Sequence, residues 1–310
     1  MRQGKGRLKV LMLETGGWGG IHYYAHFLCN ALAKRSVAVA LLTTEQYELE
    51  GWPRCFERLG LLRRENYLRT LLKIRRLLRD REPEVLHVQT LIAPRKDLLL
   101  LLLCRLMQVR VVLTVHNILP HEVRPLERAL YFLYYRLADA LILHSQHNRE
   151  QLLRLVPALE GKPLYVVEHG NYEEFLRLEP GRHEARQRLG LPGAARIILF
   201  FGLIRPYKGL DLLLQTVEPV RAVCPQALFV VAGQVPGGGQ AECRAQIDRL
   251  KVGEEGLQVR LGYLSTEEAI AYVCAADLVV LPYREIYQSG VLFFAYTFGR
   301  PVLATRVGSF

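Results

Sequence analysis

The stretch "LKVLMLETGGWGGIHYYAHFLCNALAKRSVAVALLT", residues 8–43, decides the fold. Residues 8–13 form an apolar run of strand length, "ETGGWGG" supplies turn chemistry, "IHYYAHFLCNALAKR" reads as a helix, and "VAVALLT" (37–43) is a second apolar strand. Strand, glycine turn, helix, strand is the opening of a doubly wound α/β domain.

The same alternation continues. Strands are expected at 85–89, 111–115, 140–143 and 164–168, with helical patterns at 65–80, 95–107, 125–137 and 146–155. The interval 169–196 turns polar, with Pro180, Gly181, Pro192 and Gly193 as punctuation, and sets the expected boundary between domains 1–190 and 191–310. Strands then recur at 196–202, 227–233, 257–262, 278–283 and 301–305, separated by helices at 208–223, 241–251, 266–276 and 289–298. Strands that are apolar throughout need cover on both faces, which crossover helices give to a parallel sheet. The expected fold class is therefore α/β, with two Rossmann-like doubly wound parallel sheets facing across a cleft. Five strands in the second sheet leave it short of a terminal strand and its covering helices.

A chain of 310 residues, half of them apolar, can bury two medium cores. Six scattered cysteines show no CxxC spacing and read as reduced core residues. The opening residues lack a signal peptide's unbroken apolar core, so a cytoplasmic location is expected. The longest apolar run, "LLLLLLC" (98–104), is too short to span a bilayer.

The net charge is +11, and its excess lies in residues 1–190, which carry 30 basic and 20 acidic side chains against 11 and 10 in residues 191–310. The segment 63–81, "RRENYLRTLLKIRRLLRDR", holds eight basic residues among leucines at helical spacing. It reads as a peripheral contact with an anionic membrane at the inner face, as an ordinary solvated helix, or as a phosphate grip. No nucleic-acid recognition module accompanies it, so nucleic acid is not an expected partner.

Four loops at strand ends carry candidate chemistry. In "GGWGG", Gly19 and Gly20 precede a helix start that presents N–H groups to an anion, or the run is a tight turn; its spacing is not that of a dinucleotide fingerprint. In "LTVHNILPHE" (113–122), His116 follows a buried strand and either serves a reaction centre or bonds a backbone carbonyl; His121 is a weaker candidate. No Cys or carboxylate cluster lies near them in sequence, so no metal is expected. In "FGLIRPYKGLDLLL" (201–214), Gly202 ends a strand, and Arg205 and Lys208 bring two cations to a helix start, which favours a diphosphate over a solvated pair. In "VVAGQVPGG" (230–238), Gly233 faces a nucleotide or merely ends a strand.

With "LPYREIYQSGVLFFAYTFGRPVLAT" (281–305) added, the chain resembles a retaining glycosyltransferase of the GT-B fold, glycosyltransferase family 4, along essentially its whole length. The resemblance implies transfer of a hexose from a UDP- or GDP-sugar to a glycan or lipid-linked acceptor, with retention of configuration and without a metal. It implies that Gly19 and Gly20 approach donor phosphate and acceptor, and that His116 lies beside the sugar. Arg205 and Lys208 would hold the diphosphate, aided by Ser289, Gly290 and Val291 at the next helix start. Two family glutamates, eight positions apart, would fall at Ile286 and Phe294; neither is acidic, and Glu285 stands one place from the first. Phe294 and the short second domain motivate an alternative, a non-catalytic GT-B relative that binds nucleotide or a partner protein. The family usually continues beyond the position of Phe310, so a fragment of a longer protein is expected.

Overall fold

The computed structural model describes residues 7–63, 66–91, 96–119, 125–248, 253 and 255–310. It divides into two compact units, 1–169 and 170–310.

The first unit holds seven strands among the described residues: β1 (Lys9–Leu13), β2 (Ala38–Thr44), β3 (Glu57–Leu62), β4 (Val85–Val88), β5 (Arg110–Thr114), β6 (Ala140–Leu143) and β7 (Leu164–Val166). They pair in parallel in the order β3-β2-β1-β4-β5-β6-β7. Connections run through α1 (Gly19–Lys34), α2 (Tyr67–Arg81), α3 (Leu98–Leu106), α4 (Pro125–Leu137) and α5 (Gln146–Leu155). Leu11, Met12, Leu13, Leu41, Leu42 and Leu86 are buried at the centre, as continuous apolar strands between helical layers require. The strand β3 is absent from the sequence-based expectation. Its "ERLGLL" is only partly buried, and it pairs as an edge strand with a register shift at Thr43/Thr44. An edge strand with a polar start carries too little periodicity to be recognised.

The second unit opens with a 3-10 segment (Glu173–Leu178) and α6 (Arg182–Arg188), followed by a five-stranded parallel sheet in the order β10-β9-β8-β11-β12. Its strands are β8 (Arg196–Phe201), β9 (Ala227–Gly233), β10 (Leu257–Leu261), β11 (Leu278–Leu281) and β12 (Val302–Ala304). The helices are α7 (Leu210–Leu214), α8 (Val217–Val223), α9 (Gln240–Asp248), α10 (Thr266–Ala275) and α11 (Gly290–Thr297). Phe200, Phe229, Val231 and Val217 lie at the heart of its core. Asp277 ties the polar segment before β8 into this unit: it accepts from Arg182 and Arg186, both at 2.7 Å, and from the Ile197 N–H at 2.8 Å.

One expected helix, 208–223, is instead two short ones. Pro219 explains the break, since its ring would clash with the carbonyl of residue 215 in a continuous helix, whereas the first turn of α8 tolerates it.

In each sheet the strand order reverses once, between β1 and β4 and between β8 and β11. Loops diverge beyond the carboxyl ends of strands at such points and leave room for a ligand. Gly19 and Gly20 follow β1, Gly202, Arg205 and Lys208 follow β8, and Glu285, Ser289, Gly290 and Val291 follow β11, while His116 and Gly233 stand one strand away, at the ends of β5 and β9.

Candidate active site

In the second unit the loops after β8 and β11 meet. Arg205 is exposed and extended, and starts a 3-10 turn over Pro206–Lys208. Lys208 is 8% exposed, its amine 5.3 Å from the centre of the Tyr283 ring. Burial pulls its pKa down, the Tyr207 interaction opposes this, and the nearby Arg205 charge adds to it. Gly202 has a positive φ of 104°, and a Cβ there would stand 3.1 Å from Val291 Cγ2 and 3.5 Å from Lys208 Nζ. Gly202, Lys208 and Val291 therefore converge.

Gly233 supports this from below. A Cβ on it would come within 1.8 Å of the Gly202 carbonyl oxygen, so only glycine lets β9 end so close to β8. The structure thus gives Gly233 a packing reason for being glycine.

Ser289, buried, is the N-cap of α11: its hydroxyl accepts from the Leu292 N–H at 3.4 Å. Gly290 and Val291 open that helix. Glu285 is exposed, while its neighbour Ile286 is buried. Phe294 is 4% exposed, stacked on Phe201 at 5.8 Å and in edge contact with Tyr172, Phe175 and Phe298. It is a core side chain.

The loop after β11 rests in turn on residues 305–310. Ser309 Oγ donates to the Tyr287 carbonyl at 2.6 Å, and a Cβ on Gly308 would meet the Ile286 carbonyl oxygen at 1.8 Å.

In the first unit the glycine loop is filled with carboxylate. Glu14, at the end of β1 and 1% exposed, accepts from the Gly16 N–H and, at 3.0 Å, from the Gly17 N–H. Thr43 Oγ1 donates to it at 3.0 Å, and His22 Nδ1 lies 3.1 Å away. Burial alone would raise the pKa of Glu14; the hydrogen bond and charge of His22, with the Gly17 and Gly16 N–H groups, outweigh it and hold the carboxyl below its usual range. The Gly19 N–H is taken by Glu48 Oε2 at 2.9 Å, and Tyr23 donates to Glu48 Oε1 at 2.6 Å. Beside Gly19 and Gly20 nothing lies within 4 Å of an added Cβ. Sequence reasoning missed Glu14 and Glu48; Glu14, directly before the glycine run, was an available signal, and Glu48, 29 positions from Gly19, offered none.

His116 heads a line of polar groups across the ends of β4, β5, β6 and β7. Gln89 Nε2 turns to Met12 Sδ (3.1 Å) and His87 Nε2 (3.0 Å), so its Oε1 faces His116 Nε2 at 2.9 Å. His144 Nε2 lies 3.4 Å from His116 Nδ1, and His144 Nδ1 is 2.9 Å from the Val167 carbonyl. A carbonyl only accepts, so His144 carries a proton on Nδ1. Both ring nitrogens of His116 therefore have neighbours within their own unit.

Tyr24 packs against His116, His144 and His169 at 5.0–5.1 Å. Burial, then the neighbouring His144, His169 and His87, drive His116 well below the usual imidazole range. Burial takes His87 down to about 4 and lowers His144 against the Val167 bond. His87, His116 and His144 are therefore neutral at pH 7. Gln89, His144 and His169 were invisible in the sequence, scattered as they are over three strand ends, after β4, β6 and β7; His121 lies outside the described residues.

Among the described residues no group of His, Cys, Asp and Glu is arranged to hold a metal, and no helix is long and apolar enough to cross a membrane.

The sequence matches two family models in tandem: Glycosyltransferase Family 4 over residues 18–170 and Glycosyl transferases group 1 over 195–310. Among curated relatives, GDP-mannose:glycolipid 4-beta-D-mannosyltransferase of Xanthomonas campestris pv. campestris is 31% identical over 210 residues, which cover 66% of this chain and 53% of that protein. D-inositol 3-phosphate glycosyltransferase of Mycolicibacterium gilvum is 34% identical over 175 residues, 55% of this chain and 38% of the other. The matched region thus spans about half or less of these relatives. Among solved structures, Anabaena HepE in complex with UDP-glucose superposes with a TM-score of 0.76 at 18% identity, covering 97% of this chain and 81% of that one. UDP-GlcNAc 2-epimerase from Neisseria meningitidis gives 0.61 at 13%, covering 96% and 83%. At these identities the structures share the fold and nothing finer.

Proposed function

Since the chain is a GT-B fold protein related to the family 4 glycosyltransferases, we propose that it transfers a hexose from a nucleoside diphosphate sugar, UDP- or GDP-linked, to a glycan or lipid-linked acceptor with retention of configuration. The observation that carries the reading is the convergence of the buried Lys208 amine, Gly202 and the start of α11 at the switch point of the second sheet, with Arg205 three residues before Lys208.

In this reading Arg205 and Lys208 hold the diphosphate. Ser289, Gly290 and Val291 bring backbone donors of α11 to the same anion. The C1–O bond to the diphosphate breaks and its electron pair leaves on the phosphate oxygen. The acceptor hydroxyl oxygen bonds C1, and its proton passes to that departing oxygen. The cations stabilise charge that grows along this path. A Lys208 amine already short of water gains most from an arriving anion.

The first unit takes the acceptor. Glu48, half-buried on the Gly19 N–H beside open space, is placed to accept bonds from sugar hydroxyls and to repel a phosphate, while the buried Glu14 holds the Gly16–Gly17 turn beneath it. His116 is neutral and held on both sides; it presents a fixed ring to the sugar, and Glu285, exposed, contacts the donor sugar.

The membrane contact is proposed on α2 and α3. On α2, Leu68 and Leu72 are 58% and 62% exposed beside Arg69, Arg75, Arg76 and Arg79. On α3, Leu99, Leu102 and Leu106 form a second exposed row. Tyr67 joins the two helix starts by donating to Asp97 at 2.9 Å. Leucine beside arginine suits an anionic lipid surface.

The deciding experiment is titration with UDP and GDP together with a transfer and donor-hydrolysis assay. Binding with turnover supports the enzyme, and tight binding without turnover supports the non-catalytic relative. Sedimentation with anionic and with neutral vesicles tests the membrane face; equal binding to both removes it.

A further inference from the structure

The cation loop of the second unit is locked to the loop after β11 by a residue that has no place in the donor site as described. Arg284 sends four bonds into residues 206–211. Its backbone N–H donates to the Tyr207 carbonyl at 2.7 Å, and its guanidinium donates to the Pro206 carbonyl at 3.1 Å and to Asp211 Oδ1 and Oδ2 at 2.8 and 2.5 Å. Pro206 and Tyr207 belong to the 3-10 turn that carries Lys208, and Asp211 to α7 directly after it. Gly209, at φ 69°, closes the joint from the other side, because a Cβ there would come within 2.0 Å of the Pro282 carbonyl oxygen.

We infer that Arg284 and Asp211 are positioning residues for the diphosphate cations, an inference that rests on the donor reading above. Arg284 directs its fork at protein acceptors, so it is not a third phosphate cation.

The competing view is an ordinary surface ion pair of little consequence, since both side chains are partly exposed, 45% and 35%. Three features speak against it. The contact is bidentate, which fixes orientation as well as distance. The same guanidinium also takes a backbone carbonyl of the turn. The Asp211 carboxyl, bonded by Arg284, sits below its usual pKa range, as an engaged carboxylate does. Loss of the clamp frees the 205–209 turn from 282–284, and Lys208 then gains water and drifts from Gly202. The residues are 73 positions apart in sequence and meet only in the fold.

The test uses the full chain and reads amide hydrogen exchange over 205–211 alongside UDP and GDP affinity and steady-state kinetics. Arg284→Ala and Asp211→Ala should each speed exchange in that segment about tenfold, raise Kd and donor KM about 5- to 20-fold, and lower kcat by a smaller factor than Lys208→Ala does. Arg284→Lys should recover only part of this, since an ammonium lacks the planar fork. The exchanged pair, Arg284→Asp with Asp211→Arg, should restore protection relative to either single reversal. Unchanged exchange in both alanine variants overturns the inference, as does an effect in the pair equal to the sum of the singles. If the unaltered protein binds neither UDP nor GDP, the donor reading falls by itself, and the exchange measurement still decides whether the clamp exists.

Discussion

The two switch points share one architecture and opposite electrostatics. After β1 the loop amides of Gly16, Gly17 and Gly19 are met by the carboxylates of Glu14 and Glu48, and the next strand ends hold neutral imidazoles. After β8 the corresponding loop carries Arg205 and Lys208 with no acid turned towards Gly202 among the contacts that define it. A parallel sheet thus supplies a place and not a chemistry. The residues written into the first loop after the reversal decide whether the place accepts a hydroxyl or an anion.

Backbone fit offers the most severe way to break that comparison. Gly233→Ala drives a methyl into the Gly202 carbonyl and should cost about 3 kcal/mol or more, whereas Gly19→Ala meets open space and should cost about 1 kcal/mol for its positive φ alone. Urea unfolding of both variants measures the difference; equal losses would mean that the second switch point is no more tightly nested than the first.

Acid should separate the units next. A folded His87 near pKa 4 binds its proton less readily than an unfolded histidine near 6.5, so stability falls as pH drops from about 6.5 to 4. The total is on the order of 3 kcal/mol from this residue, with His116 and His144 acting in the same direction. Glu14 adds a loss below about pH 4.5, as its depressed carboxyl is forced to protonate. Unfolding followed by fluorescence from pH 8 to 4 checks this, and a flat profile above pH 5 would contradict the neutral cluster.

Charge removal sharpens the contrast in function. Arg205→Ala and Lys208→Ala should each lower transfer about 10-fold or more at ordinary donor concentration, through lost stabilisation of the leaving group. His116→Ala should reduce kcat about tenfold with nucleotide affinity changed less than about twofold. The smallest effect is expected from Gly20→Ala, near neutral for stability because its added methyl touches nothing, yet able to weaken acceptor binding a fewfold if the loop receives a sugar. Initial-rate measurements over acceptor concentration give that answer.

The alternation of apolar strands with helical patterns was readable in the sequence because both faces of each sheet are covered, which leaves long uninterrupted apolar runs. The edge strand β3 was not, since Glu57 and Arg58 open it in polar register. The candidate loops were legible as loops at strand ends. Their partners were not: Glu48 reaches Gly19 across 29 residues, Gln89 reaches His116 across 27, and Arg284 reaches Asp211 across 73. Glycine reveals that the backbone comes close to something, and Gly233 shows that the something is here another strand end. Pro219 was a readable signal for the broken helix after Lys208, and the apolar run around it masked the break.

Phe294 sets a limit on how this protein could be altered. Its ring stacks on Phe201 and fills the space between Tyr172, Phe175 and Phe298. A carboxylate placed there by one substitution would arrive inside an aromatic cluster, without water and against ring faces that repel it. The segment at 172–175, which this ring anchors, would loosen with it. The choice of side chain at this position is thus tied to the mechanical attachment of the stretch that follows residue 170, so that evolution or an engineer would have to rebuild several rings at once to bring an acid there.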